Sequence, residues 1–148
     1  MARLDFHAYG WTGNAKDKED EGLRKPPTEL MLQERPGLGQ EFRQSPLAPL
    51  RTCDWLLKPA SAIKATFNDP AAAVSWLASA YDVVEPSFAY PDQERTIGRD
   101  LRLENAADQL PRGVDLQWGF WLNGGRFATI AMICCPNVFA DYACPQRT

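Results

Sequence analysis

The rhythm of apolar and polar positions changes three times along this chain. Residues 1–49 show no sustained period. They are polar, hold the charge run "KDKEDEGLRK", and are broken by Pro26, Pro27, Pro36, Pro46 and Pro49. Such a segment has too little apolar surface for a core of its own. It is expected to be an extended arm that wraps its own domain or, the preferred reading, lies across partner subunits of a large assembly. Residues 50–113 carry helical spacing: Leu50, Cys53, Asp54 and Leu57 recur until Lys58-Pro59 ends the pattern, and Ile63 and Phe67 share one side of the next turn. The clearest helix covers 69–84, with Asp69 as its cap, Pro70 at its first position and Pro86 beyond its end. Its apolar stripe is Val74, Leu77, Ala78 and Tyr81, and Trp76 is expected in the core off that stripe. Residues 87–113 are a polar connector, in which Leu103, Ala106, Ala107 and Leu110 predict a short helix near 105–110.

The last stretch, 114–148, is apolar and admits two readings. If Gly124-Gly125 turn, Val114, Leu116, Trp118, Phe120 and Leu122 share one face of a β-hairpin with Phe127, Thr129, Ala131, Ile133 and Cys135. That reading gives a small soluble α+β domain. Alternatively, Arg126 is the only charge between Asp115 and Asp141, and about 20 residues span the hydrocarbon layer as a helix. Gly124, Ala128 and Ala131 would then form a small-residue stripe for close helix crossing. Arg126 would need a partner from elsewhere. Composition alone favours the hairpin modestly.

A length of 148 residues suits one modest domain. A net charge of -3 and a pI near 5.2 argue against a nucleic-acid partner. The single His7 removes most paired-histidine chemistry. Cys53, Cys134, Cys135 and Cys144 show no CxxC spacing, so no metal site is expected and the thiols read as buried or idle in a reducing compartment. The start lacks the apolar run of a secretory signal. Asp100, Glu104 and Asp108 fall at helical spacing, as a solvated acidic face does, and no catalytic signature is present, so an enzyme is not expected.

"NGGRFATIAM" resembles a transmembrane-helix motif of the chlorophyll-binding light-harvesting antenna family, in which an arginine precedes a run such as "GRLAMIAM". Gly125, Arg126, Ala128, Ile130, Ala131 and Met132 match that run. Trp121, Gly124 and Thr129 stand where the family has Glu, Asn or His, and usually Met. The resemblance implies that Arg126 pairs with a glutamate of a neighbouring helix while Gly124, Ala128 and Ala131 let helices cross closely. It also implies chlorophyll or carotenoid contact through Trp118, Phe120, Trp121 and Phe127, with Gln117 and Asn123 as weak ligands.

With the resemblance included, the expected fold is mainly α. It has a Pro-rich arm (1–49), a small helical region (50–113) and an apolar C-terminal helix of membrane-spanning length within 114–148. The expected role is a non-catalytic linker subunit of a photosynthetic complex in the plastid thylakoid membrane, touching other subunits, lipid and pigment. The alternative is a soluble, cytoplasmic α+β accessory or assembly protein without pigment, such as an inhibitor, a virion component or a complex subunit.

Overall fold

The apolar C-terminal segment folds back on itself. The computed structural model describes residues 3–145. Four strands, β1 (Asp5–Asn14), β2 (Ala65–Phe67), β3 (Leu116–Leu122) and β4 (Arg126–Cys135), form one antiparallel sheet in the order β2-β1-β4-β3. Five helices accompany it: α1 (Glu29–Glu34), α2 (Leu38–Gln44), α3 (Pro70–Val84), α4 (Pro91–Glu94) and α5 (Arg99–Gln109). The expectation of a mainly α chain with a C-terminal helix is therefore corrected. The fold is α+β, and among the described residues no helix is long and apolar enough to cross a membrane.

The turn explains both the hairpin and its register. Gly124 and Gly125 have φ of 79° and 70°, in the left-handed region that residues with a Cβ avoid. The loop holds three residues, Asn123 to Gly125, because the pair that closes it is Leu122↔Arg126. A two-residue Gly-Gly turn would pair Leu122 with Phe127; the extra residue moves β4 by one place. Since side chains alternate with period two, that single step exchanges the faces of the whole strand. Ala128, Ile130 and Met132 thus join Leu116, Trp118 and Phe120 on one face, and Phe127, Thr129, Ala131, Ile133 and Cys135 go to the other.

The N-terminal residues depart further from an extended arm. β1 pairs along its whole length with β4, from Asp5↔Cys135 to Asn14↔Arg126, and so lies inside the sheet. Both of its faces are covered, with Phe6 and Ala8 on one side and His7 and Tyr9 on the other, all buried.

One face of the sheet is closed by α3 and α5. Asp69 caps α3 by accepting the Ala71 N–H at 3.2 Å, and Pro70 opens its first turn. Ala73, Leu77 and Tyr81 point into the core, where Tyr81 meets Phe88 and Phe120 edge-on at 5.4 and 5.6 Å. α5 begins earlier than the expected 105–110 and contributes Ala106, with Leu110 just past its end.

The opposite face, here the arm face, is covered by irregular chain. A 3-10 turn at Thr52–Leu57 presents Trp55, which stacks on Tyr9 at 5.0 Å and donates its indole N–H to Gln117 Oε1 at 2.8 Å. The C-terminal tail returns over this face, held by a Cys135–Cys144 disulfide and by Tyr142, whose hydroxyl donates to buried Asp54 at 2.8 Å. Two of the four cysteines are thus bonded rather than idle, while Cys53 and Cys134 are free and buried.

The disulfide closes a loop of 9 residues, which in the chain-entropy account stabilises by roughly 2–3 kcal/mol. Cys144→Ser is expected to lower the urea-unfolding free energy by about that amount. A loss under about half a kcal/mol would show that the tail is held by its other contacts.

Candidate functional site

Several buried or part-buried titratable groups are answered by their own neighbours, whereas the buried Tyr9 hydroxyl has no hydrogen-bond partner among the described residues. Glu94 on α4 receives a two-pronged contact from Arg102 on α5, at 2.8 and 2.7 Å, and the Tyr81 hydroxyl at 2.9 Å. Burial pushes the Glu94 carboxyl up, but hydrogen bonds from Arg102 and Tyr81, with the Arg102 charge, outweigh it and hold the group below the usual range. Asp115 accepts from Asn137 and from the Cys134 N–H, yet burial still leaves its carboxyl raised. These are structural uses, with the reacting atoms already bonded.

A groove of about 700 Å³ lies between α2, the 3-10 turn and the tail, with a mainly apolar lining that includes Pro26, Phe42, Leu56 and Tyr142. Its notable group is Lys58, which is 3% exposed. The amine donates to the carbonyls of Phe42 at 2.6 Å and Ser45 at 2.9 Å and lies 4.0 Å above the Phe42 ring. Burial pulls it down to about 8. The ammonium is spent on the backbone of α2 and the residue after it, so it pins this part of the chain to the 3-10 turn.

The open edge of β3 differs. β3 is the last strand of the sheet, and only its far end is covered: Ala89 N–H donates to Trp121 C=O, and Asn123 N–H to Ser87 C=O. Backbone groups alternate sides along a strand. The N–H and C=O of Gln117 and Gly119 therefore face the same edge, and no backbone partner for them occurs among the described residues. Around this gap stand Trp121, Tyr90 and Ile97, at 48%, 56% and 46% exposure. They line a hollow of about 240 Å³ together with Phe88 and Phe120.

Gly119 is glycine for a reason of space. A Cβ there would lie 2.7 Å from Phe127 Cζ, so the Phe127 ring folds over β3 only because position 119 has no side chain. Phe127 then meets Trp121 edge-on at 5.2 Å, and Lys18 sits 3.7 Å above Phe127 and 4.3 Å above Trp121. Beside this cluster is a cleft of about 150 Å³ lined by Trp11, Lys18, Arg24, Gln117, Gly119 and Phe127 among others. Burial and then the Arg24 charge pull the Lys18 amine below its usual range, with Glu19 opposing them.

The residues singled out from the sequence divide between places. Gln117, Trp121 and Phe127 come together on the arm face, as alternate positions of two paired strands. Trp118 is buried against the helices and Ala128 lies deep in the same core. Ala131 is buried on the arm face, so Gly124, Ala128 and Ala131 form no common stripe. Asn123, Gly124 and Arg126 are exposed at the turn. Gln117 Oε1 already accepts from Trp55, which occupies the atom a pigment ligand would use. Lys18, Arg24, Trp11, Tyr90 and Ile97 were not anticipated; they lie far from β3 in sequence, and only the β1–β4 pairing and the α4 turn bring them near. No protein-family model matches the chain, and no curated protein or solved structure matches it either.

Lys58 gives a pH signature. Its amine keeps its proton to about pH 10.5 when unfolded but only to about pH 8 when folded, so between these values the unfolded chain binds more protons. Stability from this residue therefore rises with pH across that window. Wild type should gain in urea midpoint relative to Lys58→Met between about pH 7.5 and 9.5. Parallel profiles would mean that the amine is solvated.

Proposed function

We propose that the chain is a non-catalytic accessory protein that acts by binding another protein along the open edge of β3, as an inhibitor, assembly factor or complex subunit does. The photosynthetic linker role rested on a C-terminal helix, and it is set aside because residues 116–135 are paired strands. The observation that carries the present reading is the coincidence of unpaired strand backbone at Gln117 and Gly119 with exposed Trp121, Tyr90 and Ile97.

Proteins blunt free edges with charge, proline or a covering segment. Here the flank toward α4 is mainly aromatic and apolar instead, and on the arm face charge is confined to Lys18 and Arg24. Backbone groups of this kind give affinity to an added strand, and neighbouring side-chain pockets give it specificity. Tryptophan and tyrosine beside such an edge are residue types that dominate binding energy at protein interfaces. The acid–base groups support the same reading, since part-buried Glu94 and Asp115 and buried Lys58 all serve internal contacts.

Selection of a displayed random-peptide library on the full chain tests this. Enriched peptides should protect the amides of Gln117, Gly119 and Trp121 from hydrogen exchange, and Trp121→Ser should weaken them by about 2 kcal/mol or more. Enrichment of peptides that protect another surface, or none at all, would overturn the proposal.

A further inference from the structure

The surroundings of the β3 edge also specify what kind of segment would fit, and the following rests on the edge-binding reading above. Three features bear on it. The first is charge. The chain has 19 Asp and Glu against 16 Lys and Arg, and Arg35, Arg95, Arg99, Arg102 and Arg112 each meet a carboxylate within 3.2 Å. Lys18 and Arg24, both part-buried in the small arm-face cleft, meet none among the described residues. Arg24 instead donates to the carbonyls of Ala48 at 2.8 Å and Lys18 at 3.0 Å, which fixes its guanidinium beside the Lys18 backbone. An acidic chain has thus left two neighbouring, positioned cations without a carboxylate in contact among the described residues, Glu19 acting on Lys18 only through space.

The second feature is alternation. A strand added to β3 would present every other side chain to the arm face. The one opposite Gln117–Gly119 would pass over a position that has no side chain toward Lys18 and Arg24. The third is what meets its neighbours. The side chains before and after it would point to the helix face, where two hollows flank the edge. One holds Phe88, Tyr90 and Ile97, and the other, of about 410 Å³, lies between Ile97 and the side of α5.

We infer that the segment seated on this edge is an extended acidic strand of a partner protein. It places one carboxylate side chain in the cleft between Lys18 and Arg24, with apolar side chains on either side of it against Tyr90 and Ile97. A second copy of this chain is the less suitable occupant. Antiparallel pairing of β3 with β3 would put both Lys18–Arg24 clefts on one face of a continuous sheet, where like charges repel.

The test uses the full chain and a capped synthetic peptide of about eight residues, with valines flanking one central glutamate, and its counterpart with glutamine there. Hydrogen exchange at Gln117, Gly119 and Trp121 reports seating, and fluorescence anisotropy reports affinity. The glutamate peptide should protect these amides and bind about tenfold more tightly than the glutamine peptide. Added salt should erode that preference, since only a charged contact is screened, and Lys18→Gln should abolish it.

Equal protection by both peptides at every salt concentration would overturn the acidic-strand inference while leaving edge binding intact. Absence of protection by either peptide at about 1 mM would overturn the inference, and the library selection would then decide separately on edge binding. Concentration-dependent protection without any peptide, with dimers in sedimentation, would assign the edge to a second copy instead.

Discussion

The side-chain register of β4 is the constraint on which the rest of the structure depends. Two glycines in the left-handed region let the hairpin close over three residues, and that count decides which side chains meet the helices. Ala128, Ile130 and Met132 go to α3, and Ala131, Ile133 and Cys135 go to Tyr9 and Trp55. The small residues matter as much as the large ones. Ala128 and Ala131 leave room for aromatic rings from adjoining elements, so one strand seats two unlike cores. The same register places Phe127 across Gly119 and so builds the aromatic end of the hairpin.

Some of this was legible in the amino-acid sequence. The cap and first-turn proline of α3 act locally, so Asp69 and Pro70 mark the helix without help from the fold. β3 alternates between core and outer positions and reads as a strand for that reason. β4 does not, because both of its faces are buried and nothing forces a polar residue at every second place. An unbroken apolar run of that kind imitates a membrane helix, and the small residues that fit between two cores imitate a helix-crossing stripe. β1 is hidden for the same reason. Phe6 and Ala8 face one core, His7 and Tyr9 the other, so period two carries no contrast. β2, at three residues, is too short to show a pattern at all.

The candidate site was half legible. Gln117, Trp121 and Phe127 belong to the hairpin and were visible in it, though for a different chemistry. Lys18 and Arg24 sit in a run of mixed charge that reads as solvated surface. Only the hydrogen bonds of Arg24 to Ala48 and Lys18, and the seat of Lys18 on two rings, give that run a fixed position. Charge patterning alone does not distinguish such cations from their exposed neighbours Lys16 and Lys25.

The pairing of β1 with β4 carries a consequence for synthesis on the ribosome. The ladder from Asp5↔Cys135 to Asn14↔Arg126 joins residues that lie far apart along the chain. The middle of the sheet is therefore absent until Cys135 has cleared the exit tunnel. Until then β1 has only the three residues of β2 to pair with on one edge, and the edge that takes β4 is bare along its whole length. Contacts so distant along the chain form late and slowly, and unpaired strands in waiting chains are prone to associate. The acidic balance of the chain, with "KDKEDE" directly after β1, sets like charges between waiting copies during that interval.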